Sequence, residues 1–578
     1  MQQQNPMRAG TAALCSLALL AVTPCSAVAA AAEPASLILR DGHIRAATGW
    51  VPSMAVRNGV IVALGTSQDL QALSGPATRV VDLAGATVLP GLSDVHVHPL
   101  FAGLMEQRCK VAQGSSLAQT RTAVKACVGK AEPDAWITGG QWDAPALGGV
   151  PNRTVLDGIA PRQPVYLEDT SGHSAWVNSR ALQIAGITRT TANPEGGIIE
   201  RGPDGEPTGI LRESATELVS RHIPKPTPEA TRAALRWSLR EMLSYGITSY
   251  TEAAVGFAAG AERELQAYAD LADAGVIKQR VTLCITWAPG QPETEKAIAV
   301  RNLYARNRVS PTCVKIFLDG VPTDSHTAAM LEPYTGSIHG REDEASKRGM
   351  LLVNQAVLNS AVTRFDQMGL TVKFHAAGDA AVRAGLNAIE AARKANGFSG
   401  LMHNVGHCTF VAREDIARAR AIGATFEVSP YLWAPSPIND SITEAVGDEV
   451  IRRVWPIREM VESGALVVPG SDWSVVPSVN PWIALETLVT RELPGGSAKS
   501  FGKAEAITLP QALDLFTVNA ARQARQSNLV GRIEVGMAAD LVVVDRNPYE
   551  IPATQIHDIR VRQTYVAGEV VFDATRPQ

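Results

Sequence analysis

Residues 88–98 read Val-Leu-Pro-Gly-Leu-Ser-Asp-Val-His-Val-His, an apolar run that ends in two histidines. His96 and His98 alternate around Val97, so in a β-strand both imidazoles project from the same face. Two imidazoles held in this way can bind one metal ion, and the preceding apolar run and Pro-Gly favour this interpretation over two merely polar strand residues. We therefore predict a buried strand with a metal site at its carboxyl end.

Seven further apolar runs follow this segment, and helical stretches separate them. They are residues 246–254, 280–287, 313–320, 370–378, 401–410, 424–431 and 466–475. Alternation of strands and helices is typical of a parallel α/β architecture, and eight strands close a (β/α)8 TIM barrel. The long interval between the first two runs predicts an insertion at about residues 100–245, with helix signals at 116–127 and 226–245.

Short alternating runs with turn signals lie at both ends of the chain. Residues 37–40, 54–57 and 60–64 are separated by Asp41-Gly42 and Asn58-Gly59, and Asn-Gly is a strong hairpin signal because both residues tolerate positive φ. A similar pattern returns at 540–544, 561–566 and 569–572. We predict that residues 33–87 and 529–578 form one small β-sandwich around a barrel domain at residues 88–528.

Composition describes a folded chain with a small-molecule partner. The 578 residues are 46% hydrophobic and 19% charged, which excludes disordered, collagenous and coiled-coil classes. A net charge of −4 provides no basic field for a polyphosphate. We therefore expect no nucleic-acid partner.

The amino terminus is typical of a secretory signal peptide. Arg8 is the only charge before Glu33, an apolar run covers residues 12–22, and Ala27-Val28-Ala29 has the small residues of a cleavage site. The run is shorter than the ~20 residues that span a bilayer, so cleavage after residue 29 is favoured over an uncleaved membrane anchor. We predict a secreted, periplasmic protein without membrane attachment after cleavage.

Five cysteines would remain after cleavage, which leaves at least one thiol free: Cys109, Cys127, Cys284, Cys313 and Cys408. Cys109 and Cys127 flank a short segment with helix signals. Because an oxidising periplasm lets thiols pair, we predict a disulfide between these two residues.

Barrel enzymes carry their catalytic groups at the carboxyl ends of the strands. His375 ends the fifth run, His407 ends the sixth on the strand face of His403 and Val405, and Asp472 ends the eighth. We expect these side chains to converge with His96 and His98 on the barrel axis.

Lys315 lies within the apolar run of residues 313–317, where an unpaired ammonium would be costly. Taken alone, an ion pair with Asp319 or another carboxylate is the simpler explanation. With the other ligands in place, carbamylation becomes the favoured one, because a carbamate is anionic and its two oxygens can bridge two ions.

The chain resembles the amidohydrolase superfamily, and specifically the amidohydrolase 3 branch that contains N-substituted formamide deformylases. Besides Leu-Pro-Gly with His-x-His, the similar segments are Gly-His-Ser-Ala-Trp-Val-Asn-Ser from 172, Gly-Gly-Ile-Ile-Glu from 196, Gly-Ile-Leu-Arg-Glu from 209, Val-Lys-Ile-Phe-Leu-Asp-Gly from 314, His-Ala-Ala-Gly-Asp from 375, Gly-Ser-Asp from 470 and Gly-Arg-Ile-Glu-Val-Gly-Met-Ala-Ala-Asp-Leu-Val from 531. One position departs from the branch, which often has Glu before the sixth-strand histidine where this chain has Gly406. The departure leaves open what hydrogen-bonds around that ligand.

The resemblance implies a two-metal hydrolase. One ion would bind His96, His98, Asp472 and carbamylated Lys315, and the other would bind the same carbamate, His375 and His407. Nitrogen and oxygen ligands without thiolate make zinc the expected metal. Water activated by the metal would attack the carbonyl of a small amide, and Asp472 would move the proton to the leaving nitrogen.

Substrate contacts are expected from His173, which a branch motif carries, and from Trp142, Trp176 and His326. Cyclic amides, esters and N-acyl amino acids are alternative substrates. A regulatory or binding protein that retains the fold is the alternative outside enzymes. A homodimer is an open option for the assembly.

Overall fold

The computed structural model describes residues 33–112, 114–142, 144–148, 151–169, 174–194, 197–323, 326–335 and 347–576. The predicted signal peptide at residues 1–29 and His173 lie outside the described residues. No helix in the described ranges is long and apolar enough to cross a membrane.

Seven strands precede the barrel and belong to the small β-domain. They are β1 (Leu37–Arg40), β2 (His43–Ala46), β3 (Gly49–Val51), β4 (Ser53–Arg57), β5 (Val60–Gly65), β6 (Arg79–Asp82) and β7 (Thr87–Pro90). The chain then enters the barrel with β8 (Leu92–Val97), which α1 (Pro99–Glu106) follows.

The insertion is an α/β unit between the first strand of the barrel and the second. Its strands are β9 (Cys109–Lys110), β10 (Ile137–Trp142), β11 (Val165–Asp169), β12 (Ser174–Val177), β13 (Gly197–Arg201) and β14 (Pro207–Glu213). Its helices are α2 (Leu117–Lys130), α3 (Ala144–Leu147), α4 (Arg153–Asp157), α5 (Ser179–Ile184) and α6 (Glu217–Ser220). The six strands form one mixed sheet in the order β13-β14-β12-β11-β10-β9.

The rest of the barrel alternates strands with helices. In chain order it contains α7 (Pro228–Ser244), β15 (Ile247–Val255), α8 (Ala261–Asp273), β16 (Arg280–Thr286), α9 (Pro292–Val300), β17 (Val309–Phe317), α10 (Gln355–Gln367), β18 (Thr371–Ala376), α11 (Asp379–Asn396), β19 (Asn404–His407), α12 (Arg413–Ile422), β20 (Thr425–Val428), α13 (Pro437–Ile451), α14 (Ile457–Glu462), β21 (Leu466–Pro469), α15 (Pro481–Thr490), α16 (Leu509–Asp514) and α17 (Ala520–Gln523). The chain ends with β22 (Leu541–Val544), β23 (Val561–Val566) and β24 (Glu569–Asp573).

The central sheet confirms the predicted TIM barrel. Eight parallel strands are hydrogen-bonded in the order β21-β20-β19-β18-β17-β16-β15-β8, and all eight predicted runs contribute one strand each. The loop after β21 closes the barrel onto β8, since the Asp472 amide donates to the His96 carbonyl at 2.7 Å. The carboxyl ends of the first and eighth strands therefore lie side by side.

The first predicted run is divided between the two domains at Gly91. Residues 87–90 form β7, which pairs with β22 in the small domain, and residues 92–97 form β8. A Cβ atom at Gly91 would lie 2.2 Å from Thr248 Oγ1 on β15, so the chain passes from one domain to the other where only glycine fits.

The two chain ends form the predicted β-sandwich. One sheet has the order β5-β4-β1-β6, the other has the order β24-β23-β22-β7-β2-β3, and antiparallel β7 and β22 join the ends of the chain. Leu39, Ile44, Met54, Leu541 and Tyr565 are buried together between the sheets. Asn58 and Gly59 have φ of 51° and 81°, as the hairpin signal predicts.

The insertion is shorter than the predicted residues 100–245, because helices α1 and α7 at its two ends belong to the barrel. Ser238 of α7 donates to the Pro99 carbonyl at the start of α1, and both helices belong to the barrel layer. Helix α7 begins at Thr227, which caps the Ala230 amide, and Leu235, Leu239 and Met242 form its buried face. The additional sheet therefore starts after α1 and ends before α7.

Two disulfides connect four of the five described cysteines. Cys109 and Cys127 join β9 to α2 with Cα atoms 5.6 Å apart, as predicted. The sequence did not predict the second bridge, in which Cys284 and Cys313 are register partners on β16 and β17. Cys408 is buried and free.

We expect a peptide map of the oxidised, denatured protein to contain two linked pairs, one joining Cys109 to Cys127 and one joining Cys284 to Cys313. Cys408 should be alkylated only after denaturation, because it is buried in the folded chain. Non-reducing digestion followed by mass spectrometry measures both results. A linked peptide that contains Cys408 would contradict this pairing.

Candidate metal centre

The strand closure between β8 and β21 brings three predicted ligands together. Asp472 Oδ1 lies 3.2 Å from His98 Nε2 and 3.4 Å from His96 Nε2. One ligand atom from each residue lies within 4.8 Å of the other two. These three side chains can therefore share one cation.

Lys315, His375 and His407 adjoin this group. Lys315 Nζ lies 3.4 Å from His96 Nε2, and His407 Nδ1 lies 4.0 Å from Asp472 Oδ2. The ring centres of His375 and His407 are 4.5 Å apart. The structure thus brings all six predicted ligands to one end of the barrel.

The backbone conformation of His407, and not strand alternation, directs its imidazole into the site. The predicted shared face of His403, Val405 and His407 is wrong, because Val405 packs in the core between barrel and helices, in register with Phe374 and Phe426. A regular strand would direct residue 407 outward as well. Positive φ values of 71° at His407 and 49° at Cys408 instead turn the imidazole toward the site.

His403 belongs to a buried structural network. Its Nε2 lies 2.9 Å from Asp366 Oδ1, and its Nδ1 accepts the Val372 amide at 2.9 Å. Arg393 also donates to Asp366 at 2.9 Å. The network ties β18 and the start of β19 to α10 and α11.

Burial leaves most of the imidazoles neutral, which metal ligation requires. Burial, with Lys315 adding to it, holds the pKa of His96 well below its ordinary value, and it lowers the pKa of His375 to about 4 and of His407 to about 3. His98 differs. Burial lowers its pKa, but hydrogen bonds to Asp472 and Glu252 outweigh burial and raise it to about 9. The space between His98 and Asp472 therefore favours positive charge.

Asp472 remains ionised in this setting. Burial raises its pKa, but the electrostatic effect of the imidazoles around it and the hydrogen bond to His98 outweigh burial and hold the pKa well below the ordinary value. A carboxylate surrounded by imidazoles is thus available to bind a cation or accept a proton.

Lys315 is buried without the predicted alternative partner. Asp319 accepts the amides of Ala329, Ala377 and Gly378 at 2.9–3.0 Å, so an ion pair between Asp319 and Lys315 is not formed. Burial lowers the pKa of Lys315 to about 8, and the like charge of Lys373 adds to this effect. A minor fraction of the Lys315 amine, about a tenth, is therefore neutral at pH 7, far more than for an exposed lysine.

Three charged residues support the ligands, and none of the three was predicted from the sequence. His96 Nδ1 contacts Glu427 on β20, and His98 Nδ1 lies 3.4 Å from Glu252 Oε1 on β15. Lys373 on β18 contacts the other Glu427 oxygen. Each is a lone charge inside an apolar strand run. Like Lys315, each could therefore have been identified from the sequence as a buried charge that needs a partner.

Two of the predicted substrate contacts are wrong. Trp142 and Trp176 are buried in the core of the insertion, with ring centres 6.2 Å apart, and Trp142 Nε1 donates to the Leu167 carbonyl. Large indoles fill this core, so neither ring is available to a substrate. His326 is buried and stacks on Tyr334 at 4.3 Å.

The ligand set fits a divalent metal. Four imidazoles and one carboxylate surround Lys315, and no thiolate takes part among the described residues. This combination suits zinc and similar ions, and the favoured positive charge beside Asp472 agrees with it.

A family model described as "Amidohydrolase family", of the amidohydrolase 3 branch, matches residues 79–572. The chain belongs to the amidohydrolase family. It is a hydrolase of that family.

Two curated relatives cover nearly the whole chain. Protein LONG AFTER FAR-RED 3 of Arabidopsis thaliana is 29% identical over 93% of this chain and 92% of its own length. N-substituted formamide deformylase of Arthrobacter pascens is 25% identical over 93% of this chain and 98% of its own length.

Solved structures agree with the fold. An uncharacterized metal-dependent hydrolase from Pyrococcus furiosus aligns with a TM-score of 0.71 at 24% identity, over 89% of this chain and 100% of that chain. An adenosine deaminase from Xanthomonas campestris with bound zinc aligns with a TM-score of 0.53 at 15% identity, over 94% of both chains.

Two histidines four residues apart should respond in opposite ways to replacement by alanine. His403→Ala leaves Asp366 and the Val372 amide with one partner fewer, so we expect the free energy of unfolding to fall by about 1–3 kcal/mol with metal content unchanged. His407→Ala should reduce metal content with a smaller loss of stability.

Metal analysis and denaturant unfolding of both purified variants measure this contrast. Loss of metal from His403→Ala at wild-type stability would show that the roles are assigned wrongly.

Proposed function

We propose that this enzyme hydrolyses a C–N bond other than a peptide bond in a small N-substituted amide, with a formamide as the first candidate. The observation that carries the proposal is the convergence of His96, His98, Lys315, His375, His407 and Asp472 at the carboxyl end of the barrel. The relative from Arthrobacter pascens supports this substrate class.

The metal would be zinc, as two ions. His96, His98, Asp472 and carbamylated Lys315 would hold one ion, and the same carbamate, His375 and His407 would hold the other. When bound, the metal supplies a Lewis acid that lowers the pKa of water and polarises the amide carbonyl.

Lys315 would act as a carbamate. The lone pair of the neutral amine forms a C–N bond to carbon dioxide, the electrons of one carbon–oxygen π bond move to that oxygen, and the nitrogen releases one proton to water. The lowered pKa of Lys315 supports this step because only the neutral amine is nucleophilic. The product exchanges a costly buried cation for an anion among imidazoles.

Asp472 would move the proton. Its carboxylate is ionised and lies within reach of His96 and His98, so it can accept the proton of the attacking water and deliver it to the leaving nitrogen. The products are a carboxylic acid and an amine. His98 Nε2 contacts this carboxylate, and Glu252 contacts Nδ1 on the other side of the same imidazole.

Cyclic amides, esters and N-acyl amino acids are the alternative substrates. His173 is proposed as a substrate contact from its motif alone. His326 stays a candidate only through its place after β17.

The protein would be secreted to the periplasm after removal of residues 1–29. Two disulfides support this location, since such bonds persist in oxidising compartments. Its partner would be the small-molecule amide, with no nucleic acid and no membrane, and a homodimer is an option for the assembly.

Asp472→Asn tests the proton transfer. The amide preserves size and can still offer an oxygen to a metal, but it cannot accept a proton, so kcat should fall by about a hundredfold or more while the fold survives. Steady-state hydrolysis of N-formyl and N-acyl amines by zinc-loaded protein measures the change.

His173→Ala provides the comparison for Asp472→Asn. As a substrate contact it should mainly raise KM. Near-normal turnover of Asp472→Asn at full metal content would exclude Asp472 as the proton acceptor.

Carbamylation of Lys315 can be tested by isotopic labelling of the carbamate carbon. After equilibration of the zinc-loaded protein with ¹³C-bicarbonate, we expect one persistent carbamate resonance in the ¹³C NMR spectrum, because metal ligation protects the group. Lys315→Met should lack the resonance and bind less zinc. A resonance that persists in this variant would place the carbamate on another amine.

A further inference from the structure

A buried carboxylate joins the metal centre to the interior of the barrel. Glu427 on β20 is fully buried, and one of its oxygens contacts His96 Nδ1 while the other contacts Lys373 Nζ. His96 presents its Nε2 to the site, 3.4 Å from Asp472 Oδ1. Glu427 therefore holds the side of the imidazole that faces away from the site.

Lys373 compensates the charge of Glu427. Both side chains are fully buried, and an isolated carboxylate at such a depth would be costly. Lys373 is also the register partner of Lys315, so two lysines enter the barrel side by side. Only Lys373 has a carboxylate partner of its own within ion-pair distance among the described contacts.

Gly406 leaves the space that Glu427 occupies. The two residues are register partners on β19 and β20. A Cβ atom at Gly406 would lie 3.0 Å from Glu427 Oε1 and 2.6 Å from the Phe374 carbonyl oxygen. A larger residue at 406 would clash with the Phe374 carbonyl and crowd the carboxylate that contacts His96, which gives a physical reason for glycine beside His407.

We propose that Glu427, held by Lys373, is a positioning residue that fixes His96 in the tautomer with Nδ1 protonated and Nε2 free for the metal. A carboxylate on the far nitrogen orients an imidazole and increases its basicity as a ligand. Glu427 acts only through His96 and touches no reacting atom. The inference rests on the proposed metal centre and is independent of the substrate.

Two double variants separate this role from a merely structural one. In Glu427→Leu/Lys373→Met the buried pair becomes apolar, which often preserves stability, but His96 loses its acceptor. In Glu427→Gln/Lys373→Met the amide oxygen can still accept from His96 Nδ1, since no ammonium competes for it. Both variants remove the same charge pair, and only the second retains the hydrogen bond.

Glu486→Gln serves as the matched control. Glu486 is another fully buried carboxylate that contacts a histidine, with Oε2 2.7 Å from His557 Nδ1 and 2.8 Å from the His557 amide. His557 is not one of the six ligands. This variant should lose stability without losing zinc affinity.

The readout is the zinc dissociation constant of the purified full chain, measured by competition with a chelator, together with the unfolding midpoint. We expect Glu427→Leu/Lys373→Met to bind zinc about 10- to 100-fold more weakly, and Glu427→Gln/Lys373→Met to stay within about threefold of wild type. Wild-type zinc affinity in a folded Glu427→Leu/Lys373→Met variant would overturn the inference. Equally weak binding by both double variants would overturn it too, because the hydrogen bond would then be irrelevant.

Failure of the proposed metal centre itself gives a different result. Wild-type protein that binds no zinc would overturn the centre and this inference together. If Glu427→Leu/Lys373→Met does not fold, Glu427→Gln alone decides the question. Beside Lys373 its amide cannot satisfy both neighbours, so it should bind zinc more weakly than the Gln/Met double variant, and equal affinity would overturn the proposal.

Discussion

The hydrogen bonds that close the barrel between its first and last strands determine the site. The Asp472 amide donates to the His96 carbonyl, and the His98 amide donates to the Trp473 carbonyl. Asp94 Oδ1 reinforces the seam by accepting the amides of His96 and Ser471. Backbone hydrogen bonds thus set the separation of the two histidines and the aspartate. Side-chain rotation changes this separation little.

The interior of this barrel is polar near its carboxyl end, which is costly unless charges are compensated. Lys315, Lys373, Glu427 and Asp472 are all buried there, and a buried charge without a partner is costly. Specific neighbours compensate these charges, since Lys373 contacts Glu427 and Asp472 lies among imidazoles. Lys315 is the exception, since its nearest described polar partner is the imidazole of His96. That exception is the physical reason why we propose a carbamate at this lysine.

The peripheral parts of the chain stabilise the barrel. The small domain joins both chain ends through β7 and β22, and Arg280 at the start of β16 donates to Asp540 beside β22 at 2.8 Å. Thr564 on β23 donates to the Leu243 carbonyl of α7 at 2.7 Å. The additional sheet has its own core and a disulfide between Cys109 and Cys127.

The eight strands, their order and the ligand types could be predicted from the amino-acid sequence, because apolar runs and the polar residues that end them are local signals. Lys315 could be predicted as well, since a lone charge in an apolar strand is visible in the chain. Which neighbours those residues meet depends on the folded barrel. Strand alternation misassigned the face of His407 because a positive φ lies outside any periodic pattern. The partnership of Glu427 with His96 joins residues far apart in the chain, and the register of β19 with β20 places Gly406 beside that carboxylate. Register and burial depend on how all eight strands close together, and no local stretch of sequence contains that information.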